Sequence, residues 1–344
     1  MKTNVFSKND KFFKANLHCH TTFSDGRFTP AEIKEGYKRN GYSIVAFSDH
    51  NVLIDHSYLN DEEFLALTAI EVDLNYTYEG SMRGLPCYHI NFFSRDQHAT
   101  KIPCFNPQYV KNKKERRPQE YIGTPDYVRD YTKANELIAE FTKHNFITMV
   151  NHPAWSLQGV EDYEDLDNVF ALEIYNHGCY VEGFEDNGST HVYDKLLKKG
   201  KKIFCTATDD NHNGNWNNID ENDPMWDSYG GWVMIKSENL EYGNIMNALE
   251  NGDFYASTGA EIKELYIEDN KLYVTTSPAA RITINGYGRK AIAAYPKADE
   301  ETVCEAVFPL DRFYDGGYVR VTVEDGRGHF AWSQPIWGNF EGMK

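Results

Sequence analysis

Positive charge is scarce in this chain: 35 Lys and Arg face 52 Asp and Glu over 344 residues, a formal net charge of −17. A protein that grips duplex nucleic acid needs a basic footprint to displace counterions, so no nucleic-acid partner is expected. No apolar run is long enough to span a bilayer, and the first ten residues hold no apolar stretch of the signal-peptide kind. No membrane role is expected, and the expected location is cytoplasmic. The six cysteines, at 19, 87, 104, 179, 205 and 304, include no Cys-x-x-Cys pair. That argues against a cysteine-type zinc site and for reduced thiols. A Gly-x-Ser-x-Gly elbow is also missing, so nothing points to a serine nucleophile of that kind.

What the chain has is a large apolar share. Hydrophobic residues are 41% and charged residues 25%, enough for a sizeable core and against wholesale disorder. Seven strand-like runs occupy Phe12–His18, Tyr42–Phe47, Phe64–Glu71, Tyr88–Phe93, Phe146–Val150, Phe170–Tyr175 and Lys202–Thr206. Helical patterns fall between several of them. Thr29-Pro30-Ala31-Glu32 is a capping box with Pro at the first helical position, closed by Gly41. Further helices are expected over Asp126–His144 and from Ser189-Thr190 to Gly200. This alternation predicts an α/β unit with a mostly parallel sheet, open or closed into a barrel. After about residue 260 the texture changes to short alternating runs, at Leu265–Ile267, Leu272–Thr276, Arg281–Ile284, Val303–Phe308 and Tyr318–Val323. Asn285-Gly286 and Asp325-Gly326 read as the turns of an antiparallel β-module. Two domains are expected, 1–260 and 261–344.

The metal-capable side chains gather at the ends of the strand-like runs. The first ends His18-Cys19-His20 with Asp25 beyond it, the second Asp49-His50, and the third Glu71. His89 lies in the fourth, His152 follows the fifth, and Asp209-Asp210-Asn211-His212 follows the seventh. In parallel α/β folds the carboxyl ends of the strands converge on one mouth. An isolated His-x-His is weak, because twelve histidines in this length give about 0.4 such pairs by chance. The joint placement is a stronger signal than unrelated core histidines explain. Side chains two apart on a strand face the same way, so His18 and His20 can share one ion while Cys19 faces a core. The same alternation pairs Asp210 with His212. Nitrogen and carboxylate donors without thiolate suit Zn, Mn or Fe, and so many of them imply a multinuclear centre.

His18-x-His20 with Thr21-Thr22-Phe23-Ser24-Asp25-Gly26, then Ser48-Asp49-His50-Asn51, Glu71, His89, His152 and Asp210-x-His212, resembles the PHP (polymerase and histidinol phosphatase) family over roughly residues 12–260. Gly252-Asp253-Phe254-Tyr255-Ala256-Ser257-Thr258-Gly259 followed by a β-module is similar to the two-domain CehA/McbA-like metallohydrolase branch. The resemblance implies a distorted (β/α)7 barrel, here followed by a small antiparallel β-sandwich-like domain, with two or three divalent metal ions. It implies that His18, His20, Glu71 and Asp210 hold a first ion, that Glu71 bridges to a second with His89 and His152, and that Asp25, His50 and His212 hold a third. Some members carry His where Asp25 stands, so the carboxylate shifts preference towards Mn or Fe, or weakens that site.

The expected activity is that of a metal-dependent phosphoesterase hydrolysing a small phosphate ester. Water on the ions is the nucleophile, and no protein nucleophile is predicted. A carbamate or aryl-ester hydrolase on the same centre is the alternative, and a non-catalytic scaffold is a third reading. Asp209 rivals Asp210, but the D-x-H register favours Asp210. Asp49 is expected to orient a neighbouring ligand. Asn176 is read equally as substrate contact or turn former, and Arg27 as a solvated cation or an anion contact. The remaining histidines, 56, 98, 144, 177, 191 and 329, are assigned to surface or core. A polar insertion at 95–125 carries a basic run, Lys111 to Arg117. A solvated loop is the plainer reading of it and a substrate lid the sharper one.

Overall fold

The computed structural model describes residues 2–75, 87–103, 120–122, 131–184, 189–214, 220–313 and 317–338. The basic run at 111–117 lies outside these residues, as do 126–130 of the helix expected over 126–144. The first three-quarters of the chain forms strands β1 (Thr3–Phe6), β2 (Phe12–Asn16), β3 (Ile44–Phe47), β4 (Leu65–Asn75), β5 (Cys87–Ser94), a short pair β6 (Lys101–Pro103) and β7 (Glu120–Ile122), β8 (Phe146–Val150), β9 (Val169–Asn176), β10 (Phe204–Thr208), β11 (Trp232–Lys236) and β12 (Phe254–Ser257). Between them run α1 (Pro30–Arg39), α2 (Ala134–Lys143), α3 (Pro153–Ser156), α4 (Val160–Tyr163), α5 (His177–Val181), α6 (Thr190–Lys198) and α7 (Tyr242–Asn251). Beyond residue 260 the described elements are strands, β13 (Ile262–Glu268), β14 (Lys271–Ala279), β15 (Arg281–Gly286), β16 (Lys290–Ala294), β17 (Val303–Pro309), β18 (Tyr318–Glu324), β19 (Phe330–Ser333) and β20 (Ile336–Trp337), with one 3-10 turn at Asp311–Phe313.

This is a mixed α/β architecture with one large sheet and few helices. Seven strands run in the order β10-β9-β8-β5-β4-β3-β2, and the predicted ligands lie in or beyond six of them, all but β9. Four of their pairings are parallel, and β5 runs antiparallel to both β4 and β8. The two ends of this run meet beyond their strands, where Cys19 and Asn211 form a parallel bridge and the His20 amide donates to Asn211 O at 3.1 Å. The convergence of strand ends thus has a backbone cause: the segments after β2 and β10 are bonded to each other at the mouth. Among the described residues the longer helices between adjacent parallel strands of this run are α1, between β2 and β3, and α6, between β9 and β10.

Helix α1 shows how sequence places such an element. Thr29 and Glu32 cap it reciprocally, with the Thr29 amide 2.8 Å from Glu32 Oε2, and Pro30 opens it. Such a cap stabilises by about 1 kcal/mol. Its Ile33 and Tyr37 are buried with Tyr42, Val45, Phe47 and Cys19 on the outside of the sheet. A buried Ile side chain contributes roughly 1.5–3 kcal/mol. Tyr37 then reaches inward, and its hydroxyl donates to Asp209 Oδ2 at 2.8 Å and lies 2.8 Å from Asn211 Oδ1. The helix therefore fixes the backbone on which the last predicted ligands sit.

The large sheet does not stop at β2. It continues through β11, β12, β19, β18, β15 and β16, all antiparallel. A second sheet, β1-β13-β14-β17, covers it, and Phe6, Leu265, Leu272, Val274, Phe308, Val319 and Val321 belong to the core between them. The first strand of the chain thus belongs to the sheet built by the last quarter. Asp325-Gly326 makes its turn, but Asn285-Gly286 does not: Gly286 is a strand residue paired with Lys290 and Val319. A side chain there would meet the Phe313 ring at 2.4 Å, so this glycine serves packing and the reversal falls at 287–289. Among the described residues no helix is long and apolar enough to cross a membrane.

Candidate metal centre

All nine predicted ligands come together at the mouth where β2, β3, β4, β5, β8 and β10 end or pass. Glu71 occupies the middle. Its Oε1 lies 3.0 Å from His89 Nδ1, 3.3 Å from His18 Nε2 and 3.6 Å from His152 Nε2. Its Oε2 lies 2.9 Å from His50 Nδ1 and 3.3 Å from His20 Nε2. Asp210 Oδ1 sits 2.9 Å from His20 Nε2 and 3.1 Å from His18 Nε2. On the far side of His20, Asp25 is 3.7 Å from His20, 3.7 Å from His50 and 3.5 Å from His212.

These contacts resolve into three overlapping donor sets: His18, His20, Glu71 and Asp210; His50, Glu71 and His89; and His20, Asp25, His50 and His212. His152 stands beside the second set through Glu71. The donors fit divalent cations by chemistry, because all are imidazole nitrogens and carboxylate oxygens. One contact gives a direct sign of fit. His50 Nδ1 and Glu71 Oε2 are buried and close, yet neither has a hydrogen-bond partner among the described residues. A buried acceptor left so is costly unless a cation completes it. Cys19 faces the α1 side of the sheet with the apolar residues, as strand alternation predicts.

Three residues of the centre or beside it carry strained backbone. Asn51, His152 and Asp210 have φ of +59°, +26° and +53°, values that non-glycine residues rarely adopt. Such conformations cost about 1–3 kcal/mol each and persist only where surroundings hold them. Asn51 is held by its amide, which donates to Glu71 O at 2.7 Å, and by Asp73, which accepts from its side chain at 2.6 Å. The Asp210 amide donates to His18 O at 3.0 Å.

Electrostatics follow from charge packed in a dry place. Burial opposes the charged form of His18, but Asp210, Glu71 and Glu173 outweigh it and raise its pKa well above the usual imidazole value. Burial of His20 is outweighed by Asp210 and Glu71, and its pKa is pushed up to about 10. For His50 burial prevails over Glu71, and the pKa falls to about 3. Burial would raise Glu71, yet His50, His18 and His89 hold it well below the usual carboxylate range. Cations near Asp210 have the same effect on it, chiefly His18 and His20, against burial.

The surrounding residues hold the donors in place. Asp49 accepts from the Thr21 amide at 2.8 Å, the Thr21 hydroxyl at 2.7 Å and the Ser24 hydroxyl at 2.7 Å, so it fixes the loop that carries Asp25. Asp209 points away from the donor sets. It accepts from Tyr37 and from the amides of Tyr229, Gly230 and Gly231 at 2.8–2.9 Å. Gly231 cannot carry a side chain, since a Cβ would lie 2.2 Å from Thr208 O. Asn176 caps α5 through the Cys179 amide at 2.9 Å and donates to Asp210 Oδ2 at 3.1 Å. The Arg27 side chain is exposed, while its amide donates to His212 O at 3.0 Å. His56 is buried among Phe23, Phe47 and Tyr58, and His98 is an exposed partner of Asp55.

Sequence reasoning passed over Glu173, Asn151 and Asp227. Asn151 donates to Glu71 Oε1 at 2.9 Å, and Asp227 accepts from the His212 amide at 2.7 Å. Glu173 had a readable signal: it is the one charge in an otherwise uncharged strand, Val169–Asn176, and a fully buried carboxylate requires partners.

No family model matches the chain. Over 83 residues, 23% of this chain, it is 32% identical to a 5'-3' exoribonuclease of Haemophilus influenzae, and the match spans 29% of that protein's length. Among solved structures, it is similar to a two-domain protein from Bacteroides vulgatus that contains a predicted PHP-like metal-dependent phosphoesterase, with 13% identity, 96% of each chain covered and a TM-score of 0.46. An amidohydrolase from Chromobacterium violaceum is similar over 58% of this chain and 87% of its own, at 12% identity and a TM-score of 0.37.

Proposed function

We propose that the chain is a metal-dependent phosphoesterase of the cytoplasm, acting on a small phosphate ester through two or three Zn, Mn or Fe ions. The observation that carries this reading is Glu71, whose two oxygens face different imidazoles: His18, His89 and His152 on one side, His20 and His50 on the other. A carboxylate so placed suits a bridge between cations. His18, His20, Glu71 and Asp210 would hold one ion, Glu71, His89 and His152 a second, and Asp25, His50 and His212 a third. The His50–Glu71 contact makes His50 a further donor towards the second. When bound, such ions acidify a water and neutralise charge on a phosphoryl group.

The residues of the chain do the rest. Asp25 and His212 are the most open of the nine, with side chains 37% and 35% exposed, while His18, His20, His50, Glu71 and His152 are at most 5% exposed. Substrate therefore approaches over Asp25 and His212, and the buried donors exclude bulk water from the other side. The seven strands that surround the centre are read as a distorted barrel covering 1–260, and residues 261–344 as an accessory β-sandwich-like module.

Metal content of protein purified without chelator tests the centre first; less than one ion per chain defeats it. Nitrophenyl phosphate and nitrophenyl ester, assayed in parallel with Mn2+ and Zn2+, then separate the two hydrolase readings. Dominant ester hydrolysis reverses their order. A short oligoribonucleotide belongs in the same screen, and turnover of it overturns the expectation of a small-molecule substrate.

A further inference from the structure

We infer that Glu173 is the positioning residue of this centre, one carboxylate that sets the aim of donors carried by three separate strand ends. The inference rests on the metal-centre reading above and adds a residue that contacts no substrate in it.

Glu173 is fully buried in β9. An ionised carboxylate taken out of water costs several kcal/mol unless it is paired and hydrogen-bonded. Four donors supply that compensation. Oε1 accepts from the Thr208 hydroxyl and faces His18 Nδ1 at 3.0 Å. Oε2 accepts from the His152 amide at 2.7 Å and from Asn176 Nδ2 at 2.9 Å. Asn176 passes the constraint on, since the same Nδ2 also donates to Asp210 Oδ2 at 3.1 Å.

Each contact has a separate consequence. A carboxylate beside His18 Nδ1 holds a proton on that nitrogen, which leaves Nε2, 3.3 and 3.1 Å from Glu71 and Asp210, as the nitrogen that would meet a cation shared with them. The bond to the His152 amide secures a residue whose φ and ψ of 26° and 67° lie outside the ordinary regions. The path through Asn176 fixes the orientation of the Asp210 carboxylate. Loss of one carboxylate thus disturbs His18, His152 and Asp210 together, although Glu173 is in none of the donor sets.

Glu173→Gln is the informative variant. It keeps the shape but replaces one acceptor by an NH2 donor, which must then face either the His18 N–H or the His152 N–H. Outer partners of metal ligands are worth 10–100-fold in metal affinity. Titration of metal-free wild type and variant with Zn2+ and Mn2+ should show affinity for the tightest ion reduced about 10–100-fold. Glu173→Asp, which keeps both acceptors, should recover part of it. Equal affinities in wild type and Glu173→Gln overturn the inference and leave the centre standing. A wild type that binds no Zn2+ defeats both. Should Glu173→Gln not fold, 15N-histidine spectra of the wild type decide: His18 should keep its proton on Nδ1 and shift at Nε2 when Zn2+ is added. The opposite tautomer overturns the inference.

Discussion

Arg320 and Asp194 meet through two parallel hydrogen bonds of 2.7 Å, Nε to Oδ1 and Nη2 to Oδ2. One residue is in β18 and the other in α6, so this ion pair ties the β-module to a helix of the ligand-bearing unit. The Arg320 side chain is 4% exposed, and Tyr318 adds a hydroxyl 3.2 Å from Asp194 Oδ1. Removing one partner of a buried pair leaves the other charge uncompensated, at a cost of about 3–5 kcal/mol. Asp194 is half-buried, so Asp194→Ala should cost roughly 3 kcal/mol in urea unfolding. Metal content should stay at the wild-type value, and a fall in it would mean that the junction shapes the centre.

Glu71→Gln should lose metal and activity together. The change removes a charge from a group that faces five imidazoles, and like-charged cations would lose their common counter-charge. Asn176→Ala should have the smaller effect. Emission spectrometry on the two purified variants checks the order, and full stoichiometry in Glu71→Gln contradicts a bridging role.

Metal uptake should release protons. Folded His20 is pushed up to about 10 by Asp210 and Glu71 against burial, so in the metal-free protein its ring holds a proton at neutral pH. That stabilising contribution is fully present below the unfolded value near 6.5 and is lost as pH rises through about 10. An ion must displace this proton, so affinity should climb with pH. His50, at about 3, is already neutral and contributes none. Calorimetry in two buffers of different ionisation enthalpy counts the protons; none released contradicts the prediction.

A chain cut after residue 260 should aggregate. It would strip β13 from β1 and β19 from β12, exposing Phe6 and Tyr255, whose rings pack edge-on 5.8 Å apart. Gln334 would also be lost, and its side-chain amide pairs with both the N–H and the C=O of Cys205 on β10 at 2.8 and 2.9 Å. Co-expression of 261–344 should restore solubility. A monodisperse 1–260 fragment in light scattering would contradict this.

Much of the centre was legible because each motif is local: a strand end, a two-residue alternation and a donor type. His18 and His20 face one way as alternation suggests, whereas Asp210, at φ +53° beyond β10, turns to His18 and His20 while His212 turns to Asp25 and Asp209 to Tyr37 and the Gly231 amide. What stayed hidden depends on distant partners. Glu173 acquires its surroundings from segments at 18, 152 and 208, and no local pattern announces them. Asn285-Gly286 reads as a turn until Phe313 is seen beside it. The pairing of β1 with β13 has no local signature either, since four residues carry no address for a strand so far along the chain.

That pairing also orders events in time. Thr3 is matched with Ile267, 264 positions on. At about 5–20 residues per second, roughly 15–50 s of translation separate the two. Throughout that interval the emerging N-terminal strand has a bare edge and Phe6 has no core to enter. Strand β1 is closed by one made much later, which leaves the nascent chain open at this edge to a co-translational chaperone until the β-module emerges.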